Sequence, residues 1–276
     1  MINLAKDVEH RTLSRLLEKI YRDSGYDFRQ YKRGTVTRRL NRRLQATGTM
    51  YYDDYIRFLD SNPQEYENIS QTLTTNVSSF FRSRPAFEQL NNLVFPTLFA
   101  QAASSRRLRF WSTACARGEE PYSIAMALTD YAGDELDGLD VKIHATDINR
   151  RILNQARAAV FSGKEIESVP EHKRRHLITC EGNYIIKDYI RALVSFDYCD
   201  LTTIAGMPFG EMDCIFCCNV LIYLHRQLQA SLLAALCNNL VPGGYLVLGD
   251  VETPTENVRS QLKCLDTKAK IYQKKG

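Results

Sequence analysis

The chain has 276 residues, of which 44% are hydrophobic and 25% charged, with a formal net charge of +4 at neutral pH. That is the composition of a folded, soluble protein long enough for one large domain or two smaller ones, and it excludes disorder, fibrous repeats and collagen-like architecture. No stretch approaches the roughly 18 to 20 consecutive apolar residues that a membrane span needs, and Lys6, Asp7, Glu9 and Arg11 interrupt the N-terminus, so neither membrane insertion nor a signal peptide is expected and the location is expected to be cytoplasmic.

Residues 1–82 read as helical throughout. Leu13, Leu16, Leu17 and Ile20 form one amphipathic stripe, and Tyr55, Ile56, Phe58 and Leu59 form another. Turns are expected at Ser24-Gly25 and Thr47-Gly48, and Asn62-Pro63 marks a helix start, with Ile69 and Leu73 continuing the pattern. The helix between the two turns is unusual in its charge. From Phe28 to Tyr52 there are seven basic residues and no acidic one. Val36, Leu40 and Leu44 define its buried stripe, which turns Arg38 and Arg42 outward and leaves Arg39 and Arg43 flanking. Such a run is either a solvated face or a docking surface for an acidic partner, nucleic acid or an acidic protein helix. The aromatic interleaving that suits single-stranded nucleic acid is absent.

A linker is expected over 83–106, after which the period changes. Strand-like runs at 108–112, 141–145 and 213–220 alternate with helical stretches at 121–131, 150–160 and 226–240. Val241-Pro242-Gly243-Gly244 reads as a turn before a strand at 245–248, and residues 263–273 supply a final pair. Strands alternating with helices predict an α/β fold with an open, largely parallel sheet over 107–276. Residues near 180–197, with Tyr184, Ile186, Tyr189 and Ile190, interrupt that pattern as a small β-appendage.

Eight cysteines (Cys115, Cys180, Cys199, Cys214, Cys217, Cys218, Cys237 and Cys264) fall mostly within apolar runs, where reduced cysteine packs as a small hydrophobe. Cys214 and Cys217 make a CxxC, but no second ligand pair follows at zinc-finger spacing, and i and i+3 of a strand face opposite ways. No metal site is expected.

Ligands of open α/β sheets lie beyond the carboxyl ends of the strands. The first end carries Ala114-Cys115-Ala116-Arg117-Gly118-Glu119-Glu120-Pro121, which is not the GxGxxG of a dinucleotide loop. Two carboxylates stand where a pyrophosphate would need neutral surroundings, though acids at a helix start also serve as dipole partners. The second end carries Asp147, where ribose hydroxyls are commonly held. S-adenosylmethionine, with a ribose, an ammonium and a sulfonium but no phosphate, suits this pattern. The third end carries Asn219 and Tyr223, and upstream Thr74 to Arg82 crowds polar groups and a cation around Phe80 and Phe81.

Taken in order, Thr74 to Arg82, Trp111-Ser112-Thr113-Ala114-Cys115, Gly118-Glu119-Glu120-Pro121-Tyr122-Ser123, Ala145-Thr146-Asp147-Ile148 and Cys217-Cys218-Asn219-Val220-Leu221-Ile222-Tyr223 resemble the signature blocks of the chemotaxis receptor methyltransferases, the CheR family. The resemblance runs across nearly the whole chain. It implies a Rossmann-like class I S-adenosyl-L-methionine-dependent methyltransferase domain with a small all-α N-terminal domain. The implied activity is transfer of a methyl group to glutamate side chains of chemoreceptors, leaving S-adenosyl-L-homocysteine. By the same resemblance Asn76, Ser78, Arg82, Glu119, Asp147, Asp200, Leu201, Asn219 and Val220 would surround the cofactor. Arg82 and Tyr223 would stand nearest the chemistry, and Arg38, Arg39, Arg42 and Arg43 would dock on the chemoreceptor cytoplasmic helical bundle.

The chain departs from the family pattern in places. Cys218 stands where the family often has Arg, Ser78 where it often has Thr, and Gly249-Asp250-Val251-Glu252 replaces Gly-His-Ser-Glu. The segment from Gly182 to Ile190 lacks the longer glycine-rich stretch of members that tether to a receptor C-terminal pentapeptide, so a tether-independent monomer is expected. Two rivals are a class I methyltransferase acting on RNA and a non-catalytic adaptor that binds cofactor and partner.

Overall fold

A computed structural model describes residues 2–203 and 210–276, with side chains from residue 10 onward. The chain forms two units, Met1–Thr75 with Tyr223–Leu228, and Asn76–Ile222 with Gln229–Gly276.

The first unit carries α1 (Ile2–Ser24), α2 (Arg33–Thr47), α3 (Tyr52–Ser61) and α4 (Glu65–Leu73). Its core is the set that helical spacing picked out: Leu13, Leu16, Leu17 and Ile20 from α1, Val36, Leu40 and Leu44 from α2, Tyr55 and Leu59 from α3, and Ile69 and Leu73 from α4. Gly48, with φ of 70°, ends α2 in the left-handed conformation that only glycine adopts freely, and its N–H bonds back into the last turn.

The second unit begins with α5 (Arg84–Gln89), a π-helical turn at Leu90–Val94 and α6 (Phe95–Ser105). These helices stand where a linker was expected over 83–106. The physical reason is visible in the packing: Leu90, Val94, Phe95, Leu98 and Ala102 recur at helical spacing and are buried in the core of this unit. There follow β1 (Arg107–Ser112), α7 (Glu119–Ala132), β2 (Asp140–Asp147), α8 (Arg150–Ala158), β3 (Val160–Ser162), α9 (Gly163–Ile166), β4 (Leu177–Cys180), β5 (Asn183–Ile186), α10 (Asp188–Arg191), β6 (Val194–Tyr198), β7 (Met212–Cys217), α11 (Arg226–Asn239), β8 (Leu240–Leu248), α12 (Glu256–Arg259), β9 (Leu262–Asp266) and β10 (Ile271–Lys274).

Seven strands make one sheet in the order β6-β2-β1-β7-β8-β10-β9. The first five pair in parallel, and β10 runs antiparallel to β8 and β9. The expected α/β sheet is therefore present, with a mixed edge. Val241 to Gly244 lie within β8 rather than in a turn before it: Met212 pairs with Leu240 and Cys214 with Tyr245, so the register shifts there while the strand continues. β7 stops at Cys217 rather than Val220, because Asn219 takes a left-handed φ of 59°.

The β-appendage is a three-stranded sheet in the order β3-β5-β4, antiparallel throughout. It starts at Val160 and ends at Ile186, earlier than the expected 180–197. Tyr189 and Ile190 lie in α10, and Val194–Tyr198 is the edge strand of the main sheet, paired with β2. All eight cysteines are free thiols, and burial pushes those of Cys115, Cys214, Cys217 and Cys218 well up. No described helix is long and apolar enough to cross a membrane.

Candidate functional site

Because β6, β2, β1 and β7 are parallel neighbours, their carboxyl ends lie side by side on one edge of the sheet. Each end carries residues that the sequence singled out. The turn after β1 leads to Glu119, Asp147 closes β2, Asp200 and Leu201 follow β6, and Asn219 and Val220 follow β7.

The first two ends are stitched together by the backbone. The Cys115 N–H donates to the Thr146 carbonyl at 2.9 Å, and the Ala116 N–H donates to Asp147 Oδ2 at 3.0 Å. Asp147 Oδ1 accepts from the Asn149 N–H at 2.9 Å. Burial pushes the Asp147 carboxyl up, and the Asn149, Ala116 and Ile148 amides draw it back. Three amides leave part of the carboxylate's acceptor capacity, about four lone-pair sites, for a ligand hydroxyl. Gly118, with φ of 95°, lets the turn close tightly: a Cβ there would lie 3.1 Å from Tyr122 and 3.2 Å from Ala156 and Phe196.

Glu119 opens α7 and is only 1% exposed. Among the described residues, neither of its carboxylate oxygens has a hydrogen-bond partner. It is ion-paired with Arg117, whose Nε stands 3.6 Å from Oε1 and whose Nη1 is paired with Glu165. Burial pushes the Glu119 carboxyl up. A buried carboxylate that has an ion pair but no hydrogen bond is costly to the fold, and a ligand bearing hydroxyls and positive charge would satisfy it. Glu119 and Asp147 therefore fit S-adenosylmethionine and would oppose a phosphate. The next residue, Glu120, accepts the Ser112 hydroxyl at 2.6 Å. Burial pushes Glu120 up, while Ser112, Cys218 and the Arg82 charge draw it down.

Asp200 is buried and its Oδ1 accepts the Thr202 N–H at 2.8 Å, a local turn that fixes Leu201. Asn76 and Ser78 are half-buried in an irregular stretch before α5, and Arg82 at its end is exposed, with Nη1 3.2 Å from the Val77 carbonyl. Buried aromatics anchor the stretch. Phe80 meets Phe161 edge-on at 4.8 Å between ring centroids, and the Phe81 N–H donates to Ser123 Oγ on α7 at 3.0 Å.

Tyr223 falls in the first unit and Arg82 in the second. The Tyr223 carbonyl accepts the Lys32 N–H at 2.7 Å, and the Arg39 guanidinium lies 5.4 Å from its ring centroid. The four arginines of α2 divide in two. Arg38 and Arg42 are exposed. Arg39 is turned inward, donating to the Leu73 carbonyl at 2.6 Å and to Thr75 Oγ1. Arg43 grips Glu65 on α4, so the acidic relief that the local sequence lacked comes from the next helix but one. Glu252 enters the site unannounced: it accepts the Asn219 N–H at 2.8 Å. Its retained place in the Gly249 to Glu252 stretch was the only sequence signal for it.

Residues 76–271 match the family described as CheR methyltransferase, SAM binding domain, and residues 11–74 match CheR methyltransferase, all-alpha domain. A chemotaxis protein methyltransferase of Borreliella burgdorferi is 32% identical over 259 residues, 91% of this chain and 90% of that protein. Chemotaxis protein methyltransferase 2 of Pseudomonas aeruginosa is 35% identical over 240 residues, 85% of this chain and 84% of that protein. A solved S-adenosylmethionine dependent methyltransferase from Mesorhizobium loti is matched at 19% identity and a TM-score of 0.31, over 56% of this chain and 51% of that one, a likeness too slight to bear on function.

Proposed function

Because the chain belongs to the CheR methyltransferase family, we propose that it methylates glutamate side chains of chemoreceptors, giving glutamate methyl esters. The observation that carries the cofactor half of this reading is the buried carboxylate of Glu119, which has no hydrogen bond among the described residues, on the strand-end turn next to Asp147. When bound, S-adenosylmethionine supplies an electrophilic methyl group and departs as S-adenosylhomocysteine. Glu119 and Asp147 would hold its hydroxyls and positive charge, with Asn76, Ser78, Arg82, Asp200, Leu201, Asn219 and Val220 around it.

The acceptor needs no general base, since a glutamate side chain with a pKa near 4.3 is already ionised at neutral pH. What remains for the protein is orientation. Arg82, exposed and cationic, is the group suited to hold the incoming carboxylate, and Tyr223 to hydrogen-bond to it or line the methyl path. Positioning of this kind can account for a large share of a rate enhancement. The Arg38 and Arg42 side chains, both exposed on α2, suit an acidic helical bundle of the receptor, without a pentapeptide tether and with the enzyme as a monomer in the cytoplasm. The alternatives of an RNA substrate or a non-catalytic adaptor draw no support from the matched families.

The test is incubation with methyl-labelled S-adenosylmethionine and a chemoreceptor cytoplasmic fragment. Label should pass to the fragment. Cofactor binding with no transfer to it would overturn the substrate assignment.

A further inference from the structure

We propose that Glu252 is the positioning residue that holds Asn219 and Val220 in the pose that receives the cofactor; the inference rests on the reading of those two residues as cofactor-binding. Glu252 sits in the turn after β8 and is 3% exposed. Its Oε2 accepts two backbone N–H groups, from Asn219 at 2.8 Å and from Gly249 at 2.9 Å, and its Oε1 accepts the Ile222 N–H at 3.3 Å. One carboxylate thus ties the loop after β7 to the loop after β8, at the edge of a parallel sheet where ligands lie.

The loop it holds is not one the chain would adopt unaided. Asn219 has a φ of 59°, a conformation disfavoured for residues with a Cβ, though asparagine tolerates it best. The approach of the two loops is close enough to demand glycine: a Cβ on Gly249 would stand 2.7 Å from the Asn219 nitrogen, 2.7 Å from Glu252 Oε2 and 2.9 Å from Asn219 Nδ2. Burial pushes the Glu252 carboxyl up, against the amides of Asn219, Gly249, Ile222 and Leu221 that draw it down.

The knot lies beyond the sheet ladder. β7 and β8 are already paired as far as Cys217 and Leu248, so losing the Glu252 bonds would release residues 218–222 without parting the strands. The consequence belongs in cofactor affinity more than in folding. Charge-assisted hydrogen bonds of this kind carry enough free energy for about a ten- to hundredfold effect.

Calorimetric titration of the full chain with S-adenosylhomocysteine tests this, comparing the native sequence with Glu252→Gln and Asn219→Ala. The expected result is that both variants bind about ten- to a hundredfold more weakly, and that Glu252→Gln raises the KM for S-adenosylmethionine while kcat at saturation stays near native. Native affinity in Glu252→Gln with weakened binding in Asn219→Ala would overturn the positioning of the loop by Glu252 and leave the site reading standing. A lowered melting temperature with unchanged Kd would overturn it equally. Native affinity in Asn219→Ala would remove the site reading and this inference together. Should Glu252→Gln fail to fold, Glu252→Asp, which keeps the charge but falls short of the loop, decides: weakened binding at a native unfolding midpoint supports the proposal, and native binding overturns it.

Discussion

Arg43 grips both carboxylate oxygens of Glu65, Nε to Oε1 at 2.8 Å and Nη2 to Oε2 at 2.9 Å. Tyr55 adds its hydroxyl to the same Oε1 at 2.6 Å, and Glu65 is almost fully buried. An arginine that looks like part of a basic docking face is thus committed to the core of the helical unit. Burial pushes Glu65 up, but Arg43, Tyr55 and Asn68 outweigh it and leave the carboxyl below its ordinary value. Its stabilising share is therefore present at pH values above the unfolded carboxyl range and is lost as pH falls through the folded value.

Arg43→Met should accordingly destabilise the protein by about 3 kcal/mol, because it strands a buried charge. Urea unfolding followed by circular dichroism measures this. An unchanged midpoint with impaired receptor methylation would instead return Arg43 to the docking surface.

Arg38 and Arg42 carry the opposite expectation. Both are exposed, so the double variant Arg38→Glu/Arg42→Glu should keep its melting temperature and its cofactor affinity. Its kcat/KM for a receptor fragment should fall by about tenfold or more at low salt, and native activity should itself decline as salt screens the surface. Equal kcat/KM for variant and native protein would show that α2 does not meet the substrate.

The first two strands of the main sheet were legible in the sequence because each is a short apolar run closed by a polar strand end, Phe110-Trp111-Ser112 and Ala145-Thr146-Asp147. It hid features that depend on tertiary contact. Glu65 lies 22 residues beyond Arg43, so the charge run seemed uncompensated. The helices over 84–105 looked like a linker because Pro85 and Pro96 punctuate their apolar positions, and Leu90–Val94 winds as a π-helical turn. The β-appendage was displaced in the reading because β3 is three residues long and adjoins a helix. At the site, the resemblance supplied the residues, but that Glu119 has no hydrogen bond among the described residues, and that Glu252 accepts the Asn219 N–H, are facts of packing with no local signature.

Arg82→Ala should lower turnover by about a hundredfold, the scale on which misplacement of a reacting group acts, with the melting temperature preserved because the side chain is exposed. Steady-state assay with labelled cofactor measures it. Turnover that survives the change would take Arg82 out of the chemistry.

Burial raises both Glu119 and Asp147. A ligand with positive charge favours their ionised forms and so lowers the same groups on binding. Cofactor binding should then release protons and tighten as pH rises through the range in which the free protein's carboxyls titrate. Calorimetry in two buffers of different ionisation enthalpy detects the release. Glu119→Gln should bind about tenfold more weakly and release fewer protons; proton release equal to native would detach Glu119 from the cofactor.

The central claim is a carboxyl methyl ester on a receptor glutamate. The most direct measurement is to label a chemoreceptor cytoplasmic fragment with methyl-labelled S-adenosylmethionine and this protein, then treat the isolated fragment with base. Label that leaves as volatile methanol is the predicted result. Label that stays on the fragment through base treatment would mean transfer to nitrogen or another stable acceptor, and would contradict the claim.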